Sequence, residues 1–217
     1  MEHAPLRLDG LIFDLDGTLI DSFADLATAI NETRAHYGLA LLPVADVTRE
    51  VGDGTERLVA RTVPVSPETL QEAHGVFLEC YDRHLTDRTR PYPGAEAVLH
   101  HFRGKALGLA SNKPIRQTLK LLDEFGWRDR FRVVLGGDSL PARKPDPLPI
   151  REFLAKCGLD PRRAAMVGDS PVDIRAGKAA GVWTVAAAYG NTTLSGLTAE
   201  RPDRLIEQVG DLTSLIE

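Results

Sequence analysis

Short, unbroken apolar runs alternate along this chain with stretches in which apolar residues return every three or four positions. Leu11-Ile12-Phe13, Ala106-Leu107-Gly108-Leu109-Ala110, Phe131-Arg132-Val133-Val134-Leu135, Ala164-Ala165-Met166-Val167 and Val182-Trp183-Thr184-Val185 are β-compatible and predict strands. Helical spacing fills the gaps: Arg116, Leu119, Leu122 and Phe125 suit one crossover helix, and residues 150–157 another. Between Ser22 and Pro91 the periodicity is helical throughout. Phe23, Leu26, Ala27 and Ile30 mark one face there, and Leu70, Ala73, Phe77, Cys80, Tyr81 and Leu85 mark another, opened by Ser66-Pro67-Glu68 with Ser as N-cap and Pro in the first turn. Ile20-Asp21-Ser22 and Arg90-Pro91-Tyr92-Pro93-Gly94 bound this insert with hinge-like punctuation. The tail, apolar at Leu205, Ile206, Val209, Leu212, Leu215 and Ile216, fits a short strand plus helix or one helix.

The chemistry sits where these strands end. Asp14-Leu15-Asp16-Gly17-Thr18 follows the first run, placing two carboxylates two residues apart in a turn. In open parallel sheets the carboxyl ends of strands face the ligand crevice. An Asp-x-Asp pair there suits covalent phosphoryl transfer, one carboxylate attacking phosphorus and its neighbour handling the proton. A lone Asp-x-Asp-Gly is more often a surface turn, but three later strand ends add company. These are Ser111-Asn112, Lys144-Pro145-Asp146-Pro147, and Gly168-Asp169-Ser170 with Asp173 beyond.

A phosphate monoester dianion would meet up to four carboxylates here, Asp14, Asp16, Asp169 and Asp173. Two unit charges about 4 Å apart interact by roughly 4 kcal/mol at an effective dielectric of about 20, so binding demands cations. Lys144 is one. A site of carboxylates without a His or Cys cluster suits Mg²⁺ as the other. Ser111 and the backbone amides after Asp14, at Leu15 and Asp16, can donate to the phosphoryl oxygens.

In that order, the Asp14 loop, Ser111, Lys144 and the Asp169/Asp173 pair resemble the four motifs of the haloacid dehalogenase (HAD) superfamily, over the whole chain. The resemblance implies an α/β Rossmann-like core, a parallel sheet flanked by helices, at 1–20 and 92–217. It also implies a smaller all-helical cap of the C1 type at 21–91, inserted after the first strand. Asp14 becomes the nucleophile of an aspartyl-phosphate, and Asp16 the general acid/base, with its carbonyl on Mg²⁺. Asp169 becomes a metal ligand and Asp173 a metal ligand through water or at one remove. Ser111 and Asn112 hold phosphate, and Lys144 bridges nucleophile and phosphate. Dehalogenases of the superfamily normally lack the second acid of the first loop, so Asp16 argues for phosphate chemistry.

Val51-Gly52-Asp53-Gly54-Thr55-Glu56-Arg57 reads physically as a helix–helix turn. With Asp21-Ser22-Phe23-Ala24-Asp25-Leu26-Ala27 and Pro91-Tyr92-Pro93-Gly94 it is also similar to bacterial phosphoglycolate phosphatases, where the Gly-x-Gly loop faces substrate. Gly52, Asp53, Gly54 and Arg57 are therefore specificity candidates, and 2-phosphoglycolate the expected substrate. Sugar-phosphate phosphatases, such as those for N-acetylmuramic acid 6-phosphate, and pyrophosphatases of this type are the alternatives, and a catalytically idle HAD-fold binding protein a remote one. Two departures matter. Val172 stands where many relatives are polar, and Leu26 stands where β-phosphoglucomutases carry His.

Composition narrows the partners. At 43% hydrophobic and 26% charged over 217 residues, the chain reads as soluble and globular. No run approaches the length of a membrane span, and no basic start precedes an apolar stretch, so a cytoplasmic protein is expected. A net charge of −5 without a Lys/Arg-rich segment leaves no footprint for nucleic acid. The expected partner is a small phosphorylated molecule, and the expected assembly a monomer or homodimer. Cys80 and Cys157 lack any ligand spacing and read as buried, reduced thiols. His36, His74, His84, His100 and His101 show no metal pattern, and Gly136-Gly137-Asp138-Ser139 lacks the ending of a P-loop.

Overall fold

The computed structural model describes residues 4–217; residues 1–3, which open the stretch assigned to the core, lie outside it. Strand β1 (Gly10–Phe13) is buried along its whole length, as a continuous apolar run must be when both faces of a sheet are covered. It leads into β2 (Ile20–Asp21) and then four helices: α1 (Phe23–His36), α2 (Val44–Thr48), α3 (Thr55–Thr62) and α4 (Leu70–His84). The chain returns through β3 (Arg90–Pro91), which pairs antiparallel with β2, Ile20 opposite Pro91 and Asp21 opposite Arg90. That two-stranded neck closes the helical insert at its base.

From there helix and strand alternate. Helix α5 (Ala95–His101) precedes β4 (Ala106–Ala110), and α6 (Ile115–Glu124) precedes β5 (Val133–Leu135). They are followed by α7 (Leu148–Cys157), β6 (Ala164–Gly168), α8 (Pro171–Ala180), β7 (Trp183–Ala187), α9 (Leu194–Ala199), β8 (Arg204–Ile206) and α10 (Leu212–Leu215). The tail is thus a short strand and a short helix. The sheet runs β5-β4-β1-β6-β7-β8 and is parallel throughout. Strand β1 lies in the middle, between β4 and β6, so the loops leaving these three strands meet above one edge of the sheet, where an open α/β sheet places its ligand. Among the described residues, no helix is long and apolar enough to cross a membrane.

In the insert, α1 packs on α2 and α4, and α3 on α4. Their contact is apolar: Leu26, Ala29, Ile30, Val47, Leu58, Val59, Phe77 and Tyr81 are buried there. The neck is polar but dry. The Asp25 carboxylate, buried in the first turn of α1, accepts from the Arg88 amide (2.9 Å), the Thr89 amide (2.7 Å) and the Thr89 hydroxyl (2.8 Å). Both cysteines are free thiols, Cys80 buried on the apolar face of α4 as its spacing predicts, whereas Cys157, at the end of α7, is only partly buried.

Two local expectations need correction. Helix α4 starts at Leu70 rather than after Ser66; Ser66 opens a turn whose carbonyl takes the Thr69 amide at 3.0 Å, and Pro67 falls inside that turn. Helix α6 buries Gln117, Thr118, Leu121 and Leu122, while Arg116 faces solvent. Its inward face is rotated because polar residues satisfied by hydrogen bonds can be buried too: Gln117 donates to Asp82 of α4 (3.1 Å) and Thr118 to the Pro114 carbonyl (3.0 Å).

Candidate active site

Asp14 is the first residue beyond β1, its amide still held by the Val167 carbonyl of β6 at 2.9 Å. The sheet therefore aims it. Lys144, reached by the long loop after β5, places Nζ 2.9 Å from Asp14 Oδ1 and 2.6 Å from Asp173 Oδ1, with its side chain 1% exposed. Burial pushes the Lys144 ammonium toward neutrality, but Asp14 and Asp173 override this and raise its pKa. Asp173, in the first turn of α8, also accepts from the Ser170 amide (3.1 Å) and hydroxyl (2.6 Å), half of the reciprocal cap that the Ser-x-x-Asp spacing permits.

Asp169 is the first residue beyond β6 and is held from two sides, Oδ2 accepting from the Asn191 amide (2.8 Å) and Oδ1 from the Thr18 hydroxyl (3.4 Å). Gly17, with φ +83°, and Gly190 press against its carboxylate so closely that a Cβ on either would strike it. Asp14, Asp169 and Asp173 each bring a carboxylate oxygen within 4.8 Å of the others, all three buried. Burial raises the Asp14 pKa to about 6, Asp173 and Asp16 adding to the rise and Lys144 opposing it. Asp169 is raised well above the usual carboxylate range, by burial first and then by Asp14 and Asp173.

Three carboxylates against one ammonium leave an excess of negative charge in a dry place, from oxygen donors alone. That is the donor set a hard divalent cation fits, and such a cation would relieve the repulsion that holds these acids high.

Asp16 turns away from that cluster. Its Oδ1 accepts from Ser22 Oγ and lies 2.9 Å from Lys113 Nζ. Ser111 and Asn112 directly follow β4 and are buried. Asn112 Nδ2 bridges the Lys144 carbonyl (2.9 Å) and the Gly52 carbonyl of the insert (3.0 Å), leaving its buried Oδ1 with no donor among the described residues. Asn191 likewise donates to the Thr48 carbonyl of the insert.

These groups enclose a pocket of about 40 Å³ between sheet edge and insert. Asp14, Asp16, Ser111, Asn112 and Asp169 form its floor, and Phe23, Leu26, Val51, Gly52, Gly54 and Leu58 its other walls. Leu15 is fully buried beside it. Of the four specificity candidates, the structure brings only Gly52 and Gly54 to the pocket. Asp53 pairs with Arg61 at 2.6 Å, and Arg57, its side chain 57% exposed, sits 4.0 Å from Asp53 and does not line this pocket.

The sequence reading missed Lys113, Ser22, Thr18 and Asn191. A cation directly after Ser-Asn in a strand-end loop was a usable signal for Lys113; nothing local marks the others.

Comparison with known proteins agrees with this geometry. A family model for haloacid dehalogenase-like hydrolases matches residues 11–187, and the chain belongs to that family. It is 40% identical over 191 residues to a phosphoglycolate phosphatase of Psychrobacter arcticus, covering 83% of each chain. It is 38% identical over 216 residues to one of Chromobacterium violaceum, covering 95% of this chain and 96% of that one. A crystal structure of a predicted phosphoglycolate phosphatase from Haemophilus somnus superposes with a TM-score of 0.91 at 30% identity, covering 95% of this chain and 97% of the other.

Proposed function

We propose that this chain is a Mg²⁺-dependent phosphomonoester hydrolase that works through an aspartyl-phosphate, with 2-phosphoglycolate as its substrate. The observation that carries the chemistry is Asp14 at the end of the central strand, ion-paired to a buried Lys144 and facing two further buried carboxylates. The similarity to phosphoglycolate phosphatases supports the substrate. In this reading residues 21–91 cap a core of 1–20 and 92–217, and the two free thiols suit a reducing cytoplasm.

Asp14 attacks phosphorus as the bond to the leaving oxygen breaks; that oxygen keeps the electron pair and takes a proton from Asp16. Water then attacks the aspartyl-phosphate, gives its proton to Asp16, and frees Asp14 and inorganic phosphate. Ser111, the Asn112 amide, the Leu15 and Asp16 amides and Lys144 hold the phosphoryl oxygens throughout. Asp14, Asp169 and the Asp16 carbonyl would hold Mg²⁺, with Asp173 acting through water or through Lys144, and the bound ion supplies charge neutralisation at the phosphoryl group. Gly52 and Gly54 carry recognition of the remainder of the substrate, and Asp53 and Arg57 do not.

Phosphate release from 2-phosphoglycolate, N-acetylmuramic acid 6-phosphate, other sugar phosphates, pyrophosphate and an aryl phosphate, each with Mg²⁺ and with EDTA, tests this. The expected result is Mg²⁺-dependent turnover with kcat/KM highest on 2-phosphoglycolate. A peak on a sugar phosphate or pyrophosphate would replace the substrate and keep the mechanism, and turnover of nothing would leave an idle fold.

A further inference from the structure

We propose that Lys113, held by Tyr81, is a positioning residue that sets which oxygen of Asp16 faces the substrate, tying helix α4 of the insert to the proton-transfer step; this rests on the reading of Asp16 as proton carrier. Lys113 Nζ is 2.9 Å from Asp16 Oδ1, 2.6 Å from the Tyr81 hydroxyl and 4.5 Å from the Tyr81 ring centre. Lys113 and Tyr81 are both buried. Ser22 Oγ donates to the same Asp16 oxygen. Two fixed donors thus pin Oδ1, and among the described residues no hydrogen bond reaches Oδ2. A carboxylate held by one oxygen offers the other in a single orientation, and Asp16 lines the pocket. That free oxygen is the one placed to give a proton to the leaving oxygen and to take one from water.

The supporting chemistry is consistent. Burial would neutralise the Lys113 ammonium, but Asp16 and Tyr81 hold its pKa above the usual lysine value. Burial raises the Tyr81 phenol to about 12, so it stays neutral and accepts from Lys113. Tyr81 is itself fixed by stacking on Phe77, ring centres 5.7 Å apart. Phe77 in turn stacks on His74, which hydrogen-bonds the Thr55 hydroxyl at the pocket wall (2.9 Å). One row of α4 side chains therefore joins the wall of the insert to the proton carrier.

The test exploits leaving groups. A p-nitrophenolate departs with little help from an acid, whereas an alkoxide needs the proton, and kcat/KM reports the step in which that bond breaks. Lys113→Met is expected to lower kcat/KM about 10- to 100-fold on 2-phosphoglycolate and phenyl phosphate, but less than about threefold on p-nitrophenyl phosphate. The Ki of inorganic phosphate should stay within about threefold, and Lys113→Arg should recover part of the loss. Combined with Asp16→Asn, Lys113→Met should add less than about twofold, because both act on one event. Tyr81→Phe keeps the ring stack and should give a weaker form of the same pattern, which keeps the test open if Lys113→Met does not fold. An equal loss on all leaving groups, a loss carried by phosphate affinity, or full multiplicative effects in the double variant would overturn the proposal. An Asp16→Asn enzyme without leaving-group dependence would overturn the role of Asp16 and this inference with it.

Discussion

Asp14→Asn should make the metal-free protein more stable at neutral pH while abolishing turnover. Asp14 titrates at about 6 in the folded chain against the usual 3.8, burial being the first cause. A folded-state pKa above the unfolded one means the folded chain holds its proton longer. The stability from that protonation is complete below about pH 4 and is lost as pH rises through about 6. At about 1.4 kcal/mol for each pH unit between the two values, the loss comes to about 3 kcal/mol by pH 7, a large part of a typical net stability of about 5–15 kcal/mol. Asparagine keeps the shape and can still accept from Lys144, but it carries no charge to bury. Urea unfolding in EDTA from pH 4 to 8 measures this directly. Wild-type protein should lose stability across that range more steeply than the variant, and the variant should be more stable at pH 7 by about 1–3 kcal/mol. Mg²⁺ should stabilise the wild type more than the variant, since binding to the folded state alone adds stability. A variant that is less stable than wild type at pH 7 in EDTA, or a wild-type curve without this slope, would refute the view that these acids are held in electrostatic strain.

Three further outcomes are expected. Asp25→Ala strands the buried Thr89 amide and hydroxyl and the partly buried Arg88 amide, and should cost about 3–5 kcal/mol in urea unfolding; a loss under about 1 kcal/mol would show that the neck is not held by this carboxylate. Arg57→Ala should leave KM for 2-phosphoglycolate unchanged, because the side chain lines nothing in the pocket; a KM rise of tenfold would return Arg57 to the recognition surface. His84 is raised above 6.5 by Asp87 first and by Glu32, so its contribution is full below about pH 6.5 and fades as pH rises through its folded value. The stability difference between wild type and His84→Gln should shrink across that window, by less than about 1 kcal/mol given the exposure of the cluster, and a difference constant with pH would rule out the histidine charge as its source.

The parts of this molecule that could be read along the chain are those in which chemistry is local. Phe13-Asp14-x-Asp16 joins a buried strand to a turn within a few residues, and the same holds for Ser111 after β4 and Asp169 after β6. What escaped notice is chemistry made by residues distant in sequence. Lys113 becomes meaningful only when it meets Asp16 and Tyr81, and Asp25 only when the return strand brings back Arg88 and Thr89. The face of α6 was misjudged for a related reason: apolar spacing cannot see that Gln117 and Thr118 have partners waiting. Arg57 is a different case, a plausible charge one turn from a glycine loop that its own helix carries to an exposed position beside Asp53.

The central place of β1 also has a consequence for how the molecule is made. Gly10 pairs with Ala106 on one side and Ala164 on the other, so this strand leaves the ribosome well before its partners and waits for more than 150 further residues before both its edges are filled. At about 5–20 residues per second that wait lasts on the order of ten to thirty seconds. The helices between residues 23 and 84, by contrast, pack mainly on one another and can collapse early. An emerging chain therefore carries a folded helical lobe beside an unpaired, wholly apolar strand, the kind of edge that associates with other chains. Nascent chains halted between residues 106 and 164 are where this protein is most exposed to aggregation, and where a chaperone would have most to hold.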